Sequence, residues 1–352
     1  MLVFLLAAPL APPASFASSP DAAAGAPGVQ LVALVELPSS LAGARDVRWD
    51  GERALLIATA EEGIQRLDLR HDPPRMLPLV RPSSEGGPWL PTRLAASSRW
   101  LAFASPVRQA AWSAREGAAE FEVSGHGLEF VEDVDLDDDR LLLLGTRRDE
   151  DRRYAPDGAI AWLLPLANGT DELQPVHFSS AGPGAEPMDH CGAFQIGAVR
   201  FLADGGFVIV PGAEPGVFRY DRKGRLARTW STDPLGVDPS CRMSDEERKR
   251  HRHDPARFAW INRRPVVDEV IPWGTDFAAI VRRPGADGPR WQLAVFEGER
   301  ISVSALPLAV PEPNARVKAD TRGDQIALLV VDPSRPPGPP PKPRLALLRI
   351  VR

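Results

Sequence analysis

Six times along the chain a short apolar strand runs into a tight polar turn and then a second, stronger apolar strand. The copies read DVRWDGERALLIATA from Asp46, TRLAASSRWLAFAS from Thr92 and EDVDLDDDRLLLLGT from Glu132. AVRFLADGGFVIVP from Ala198, DEVIPWGTDFAAIVRR from Asp268 and ARVKADTRGDQIALLVV from Ala315 complete the set. Units of this length cannot bury an apolar face alone, so a repeat at intervals of about 40 to 70 residues demands an array with a shared core. Counting strands outward from each turn gives four per repeat. The pattern predicts an all-β fold, a six-bladed β-propeller with four-stranded blades.

The last repeat has strands near Val317, Leu328 and Leu347 and then stops one strand short. The missing strand is expected at the other end of the chain. VQLVALVEL, from Val29 to Leu37, is apolar and belongs to no blade of its own. Pairing it beside the final strand closes the ring and removes a long open edge. Residues 29–352 are therefore read as one propeller domain with insertions at about 179–196 and 232–265.

Ahead of that strand, MLVFLLAAPLAPPASFA has the pattern of a secretory signal, with Ser15 and Ala17 at the small-residue positions of a cleavage site. The segment is too short to span a bilayer. Residues 1–17 are read as signal peptide and 18–28, rich in Ala, Pro and Gly, as a flexible leader. The expectation is an exported protein, periplasmic or secreted, with no membrane insertion after signal removal. A net charge of -5 with 25% charged residues gives no general pull toward nucleic acid.

Strand parity sorts the connections. With four strands per blade, the links between blades share one face with the loops joining second to third strands. Gly145 to Gly158, Ser179 to Ile196, Thr232 to Pro265 and Pro333 to Pro343 all fall on that face, whereas most turns on the other are a few residues long. Long loops held by rigid strands are where such scaffolds carry function. Within the large insertion, Ser244 and Glu247 have capping-box spacing and Asp254-Pro255 suits a second helical start.

The blade four segment, VRFLADGGFVIV followed by GVFRYDRKGRL, resembles the six-bladed propellers of the NHL, YVTN and related exported bacterial groups, and Phe218 to Gly224 matches their aromatic-Asp-x-x-Gly hairpin. That resemblance implies a fold. Its members bind proteins, peptides, RNA or sugars or serve as scaffolds, so it implies no single activity.

Individual residues add candidates. Cys191 and Cys241, the two cysteines of a chain expected to be exported, each sit in one of the large insertions flanking blade four and are expected to pair, against the readings of two thiols or a metal site. Trp89, His126, Tyr154, Asp189, His190 and Trp260 fall in loops of the decorated face and are the candidate contacts for a protein or carbohydrate partner. The acidic run Asp133, Asp135, Asp137 and Asp139 is read as a half-buried strand, with Val134 and Leu136 facing inward and the acids facing out or making the turn. A calcium loop would need Gly and Glu where the chain has Asp138 and Leu144. His251 and His253, with the loop histidines, show no zinc spacing. No metal or cofactor is expected, and the protein is read as a monomer.

Two functions remain in view. One is a non-enzymatic propeller that binds or scaffolds through its decorated face. The other is a propeller hydrolase or lactonase with its site at the mouth of the central channel. Such sites place acids and Asn on inner strands around a metal, whereas here Asn168, Asn262 and Asn314 lie in loops, and no nucleophile elbow is present.

Overall fold

A computed structural model describes residues 28–38, 41, 43–59, 63–71, 73–80, 91–105, 109–115, 120–122, 128–147, 157–166, 172–178, 197–211, 216–237, 244–250, 259–310, 312–331 and 343–351. These form six antiparallel four-stranded sheets. The N-terminal strand β1 spans Gly28–Glu36, and blade 1 follows as β2 (Ala44–Trp49), β3 (Ala54–Thr59), β4 (Gly63–Asp68) and β5 (Arg75–Val80). Blade 2 is β6 (Arg93–Ala96), β7 (Trp100–Ser105), β8 (Gln109–Ala114) and β9 (Glu120–Glu122). Blade 3 is β10 (Leu128–Leu136), β11 (Arg140–Arg147), β12 (Ala159–Pro165) and β13 (Gln174–Phe178). Blade 4 is β14 (Ala198–Phe201), β15 (Phe207–Val210), β16 (Val217–Tyr220) and β17 (Leu226–Trp230). Blade 5 is β18 (Val266–Trp273), β19 (Asp276–Arg283), β20 (Arg290–Glu297) and β21 (Arg300–Ala309), and blade 6 opens with β22 (Arg316–Arg322), β23 (Gln325–Val331) and β24 (Arg344–Val351).

Blade 6 takes its fourth strand from the N-terminal side, in the order β1-β24-β23-β22. The two ends run antiparallel from Gly28 opposite Val351 to Glu36 opposite Arg344. The first strands touch their neighbours in cyclic order, β2 to β6, β10, β14, β18, β22 and back to β2. The disc is therefore closed, with the first strand of each blade innermost.

Each first hairpin turns where the sequence places short polar residues, because an Asp or Ser oxygen can satisfy the backbone that the turn leaves open. Asp137 Oδ1 accepts the N–H groups of Asp139 and Arg140 at 2.9 and 2.7 Å, and Ser97 does the same for Arg99 and Trp100. In blade 4, Gly206 sits against the chain so closely that a Cβ there would lie 2.5 Å from the Tyr220 carbonyl.

The apolar core lies between the blades rather than within them. Among the described residues there is one apolar cluster at each of the six junctions, the largest joining blades 5 and 6 through Ile271, Trp291, Leu328 and Leu348. Blade stacking is thus where burial stabilises the fold. On the short-turn face polar contacts continue from blade to blade. Arg115 meets Asp50 at 2.5 Å, Ser98 Oγ donates to Asp138, Arg140 donates to the carbonyls of Gly205 and Arg222, Arg219 pairs with Asp276, and Arg322 donates to the Gly51 carbonyl.

Closure by β1 makes a direct prediction. Deleting residues 1–37 exposes the whole edge of β24, and the truncated chain should lose soluble monomer to aggregation. Moving residues 28–37 behind Arg352 through an Asn-Gly turn should restore a monomer, because Gly28 already lies beside Val351. Size-exclusion chromatography and thermal unfolding of both variants check this; a truncated monomer with unchanged melting contradicts it.

Candidate functional site

The innermost strand of each blade pairs on one side only, with the second strand of its own sheet. Its other edge faces the ring axis, where water is largely excluded and no further strand can lie. Unpaired N–H and C=O groups there need partners, since a buried backbone group without one costs free energy comparable to a lost hydrogen bond. Charged side chains on the neighbouring inner strands supply them.

Every junction is bridged in the same direction around the ring. From blade 1, Asp46 Oδ2 accepts the Leu94 N–H of blade 2 at 2.8 Å. Arg93 Nε then donates to the Glu132 carbonyl of blade 3 at 2.5 Å. Asp133 and Asp135 accept the N–H groups of Val199 and Phe201 in blade 4 at 2.9 and 2.7 Å. Arg200 Nε donates to the Val270 carbonyl of blade 5 at 2.9 Å, and its Nη2 reaches Glu269 at 2.8 Å. Asp268 accepts the Val317 N–H of blade 6 at 3.2 Å, and Asp320 accepts the Trp49 N–H of blade 1 at 2.8 Å.

Local strand geometry aims these side chains. Asp46 and Arg48, Asp133 and Asp135, and Lys318 and Asp320 are two apart, so each pair shares one face of its strand. In blades 1, 3 and 5 the inner strand slips register between Ala44 and Asp46, Val131 and Asp133, and Val267 and Glu269. The residues taken up in those slips are Arg45, Glu132 and Asp268, at the same place in each repeat. A bulge re-aims a side chain, and here it buries two adjacent acids, Glu132 with Asp133 and Asp268 with Glu269. Pro272 fits the same edge, two residues beyond Val270, where a missing N–H leaves no orphan donor.

Seven carboxyls (Asp46, Glu132, Asp133, Asp135, Asp268, Glu269 and Asp320) and six cations (Arg48, Arg93, Arg200, Arg282, Arg316 and Lys318) make up this lattice, nearly all of them buried. Burial pushes the Glu132 carboxyl up to about 7, against the Gly197 N–H bond and Arg93. Burial also raises Asp135 to about 6 despite Arg200 and Arg48. Asp133 is raised by burial and by the nearby Glu269 charge, and its Oδ1 has no hydrogen-bond partner among the described residues. Glu269 is also buried, but Lys318, Arg200 and Arg48 together hold it below the usual range. Burial, with Arg282 and Arg93 nearby, lowers Arg316 to about 9.

The expectation that the acids of the β10 run face out or make the turn is corrected here. Asp137 makes the turn, but Asp133 is 0% exposed and Asp135 is buried beside it, because they serve as acceptors for the next blade. Asn262 and Asn314 are loop residues as read from sequence, yet they meet at one end of the lattice: Asn262 donates to Asn314 and accepts from Arg282 Nη1 at 2.6 Å. Among the described residues no group of three or more His, Cys, Asp or Glu is arranged to hold a metal ion.

Of the residues singled out on the decorated face, Trp89, His126, Tyr154, Asp189, His190, Cys191 and Cys241 lie outside the described residues, as do His251, His253, Asp254 and Pro255. Trp260 is 5% exposed, donating through Nε1 to Glu247 Oε1 at 3.0 Å with Arg264 over its ring at 4.5 Å. The capping box forms as read: the Ser244 N–H donates to Glu247 Oε2 and the Glu247 N–H to Ser244 Oγ, opening helix α1 (Asp245–Arg250). Glu247 thereby ties α1 to the start of blade 5.

No protein-family model matches the chain, and no curated protein matches it. Among solved structures it is similar to a member of the DUF4221 family from Bacteroides vulgatus, at 9% identity and a TM-score of 0.57 over 92% of this chain and 98% of that one. It also aligns with the WD40 β-propeller domain of Doa1, at 12% identity and a TM-score of 0.45 over 91% and 97% of the two chains. The N-terminal domain of Nup159 aligns at 11% identity and a TM-score of 0.43 over 88% and 76%. The first likeness supports the propeller fold and nothing narrower.

Two predictions follow from the lattice. Asp46→Ala strips the caps from Val47 and Leu94 and the partner from Arg48, and should cost about 3 to 5 kcal/mol in urea unfolding. Glu299→Ala, which removes an exposed pair with Arg228, should change stability by less than about 1 kcal/mol. The second concerns pH. Because the folded-state pKa of Glu132 lies near 7 and its ordinary value is 4.5, the folded chain binds more protons across that window. Stability should therefore fall as pH rises from about 5 to 8, by up to about 3 kcal/mol. Glu132→Gln should flatten that slope in part, leaving the contributions of Asp133 and Asp135; an unchanged slope contradicts the assignment.

Proposed function

We propose that the protein is an exported, non-enzymatic propeller of the NHL and YVTN-like type that binds a protein or carbohydrate partner through the face carrying the long connections. The observation that carries this reading is that the lattice charges bridge all six junctions by bonding to backbone. Side chains committed in this way make a rigid disc and are poorly placed to exchange partners with a substrate. Variation in the chain is then left to the long connections, which parity places together, and a Cys191 to Cys241 bridge would join the two large insertions into one surface.

A specific observation favours a second reading. Glu132, Asp133 and Asp135 are all raised, and perturbed carboxyls cluster at catalytic centres. A hydrolase at the channel mouth would use one of them as a general acid. The binding reading stands ahead of it because burial accounts for all three shifts and the same carboxyls cap backbone donors.

A photo-crosslinking residue at position 154 on the long-loop face, compared with one at position 223 on the short-turn face, tests the choice. In extracts of the source cells, adducts should form from 154 and not from 223, and an excess of the unmodified chain should compete them away. Adducts from 223 alone contradict the surface assignment. Turnover of ester or lactone substrates that disappears in a folded Asp133→Asn variant would establish the hydrolase instead.

A further inference from the structure

On the short-turn face, opposite the long connections, the seam where the N-terminal strand closes the ring opens into a cleft of about 450 Å³. That is the size of a small-molecule site. One wall is the closing blade: β1 slips register between Leu31 and Ala33, and the intervening Val32 stands 56% exposed at the cleft beside Leu347 of β24. The other wall is blade 1, through Trp49 and Leu69.

The polar lining is strongly cationic. Arg53, Arg70, Arg322 and Arg349 face a single acid, Glu52. Asp68 takes up Arg70, accepting from Nε through both carboxylate oxygens at 2.9 Å and from Nη2 at 2.6 Å. Arg349 has only a long, exposed contact to Asp324 at 3.7 Å, which is worth little. Among the described residues Arg53 and Arg322 have no carboxylate partner. The Arg322 guanidinium lies 5.5 Å from the centre of the Trp49 ring and donates one Nη1 bond to the Gly51 carbonyl, so its position is fixed while most of its donors remain available. The buried Trp49 Nε1 also has no acceptor among the described residues.

The geometry points to a binding site in this seam for a small organic anion, a carboxylate or phosphate head on an apolar body. The head group belongs with Arg53 and Arg322, whose planar forks match both anions, and the body with Val32, Leu69 and Leu347. The long-connection face plays no part. Because the lining combines residues 32–70 with residues 322–349, the site exists only in the closed ring, and an occupant stabilises closure by mass action.

Calorimetric titration and thermal unfolding of the full chain with phenyl phosphate, 4-phenylbutyrate, inorganic phosphate and 4-phenylbutanol test the site. At least one of the two organic anions should bind and raise the melting temperature, the tighter one identifying the head group. Inorganic phosphate and the neutral alcohol should bind about tenfold or more weakly. Arg53→Ala, which removes no structural contact among the described residues, should weaken binding severalfold, and Arg53→Ala with Arg322→Ala by about tenfold or more. Lys223→Ala, on the same face but in blade 4, should leave it unchanged. Inorganic phosphate binding as tightly as phenyl phosphate, equal binding by folded Arg53→Ala, or no binding of either organic anion at about 5 mM would each overturn the proposal.

Discussion

Around the axis of this propeller six sheet edges meet with no strand to pair them, and the rest of the structure depends on how their backbone groups are satisfied. A sheet can cap its outer edge with water, but an inner edge packed among five others cannot. Here each inner strand sends a charged side chain to the next one: a carboxylate where an N–H needs an acceptor, a guanidinium where a carbonyl needs a donor. The requirement accounts for charges in the most buried layer of the fold, for register slips in alternate blades, and for a proline tolerated in β18.

Burying so many ions is costly, and in a site of this kind Coulomb attraction roughly offsets desolvation. Stability of the disc therefore comes from the apolar clusters between blades, while the charges fix how the blades align. The same balance explains why burial raises the Glu132 and Asp135 carboxyls while Lys318, Arg200 and Arg48 hold Glu269 below the usual range. Shifted carboxyls are often a mark of catalysis, but in this ring they follow from architecture.

Much of this was legible in the chain. Turn residues such as Asp204-Gly205-Gly206 and the gap in the last repeat defined the blades and the closing strand, since turn chemistry and edge pairing are local or countable properties. Ser244 and Glu247 announced a helix start for the same reason. The inner lattice was harder to read. Asp46-Val47-Arg48, Asp133-Val134-Asp135 and Glu269-Val270 alternate charge and valine, a pattern that also describes a strand with one wet face. The discriminating signal is that a charge stands next to the central apolar residue in all six repeats, before it in five and after it in four, which solvent exposure would not require. Asn262 and Asn314, correctly read as loop residues, could be known to meet only once the blades were arranged. The cleft at the seam is illegible in principle from local pattern, because Trp49 and Arg322 come together only through closure of the ring.

A disc clasped at every junction is a rigid scaffold, and the binding proposed for it requires that it not breathe at its centre. Amide hydrogen exchange at Trp49, Leu94, Val199, Phe201 and Val317 reads that property directly, since these N–H groups lie on inner edges and are held only by carboxylates of the preceding blade. The account predicts that they exchange only through global unfolding, as slowly as the ladder amides of β3 and β19. Exchange at rates typical of open loops, with the sheet ladders still protected, would show that the charged ring does not hold the blades in alignment.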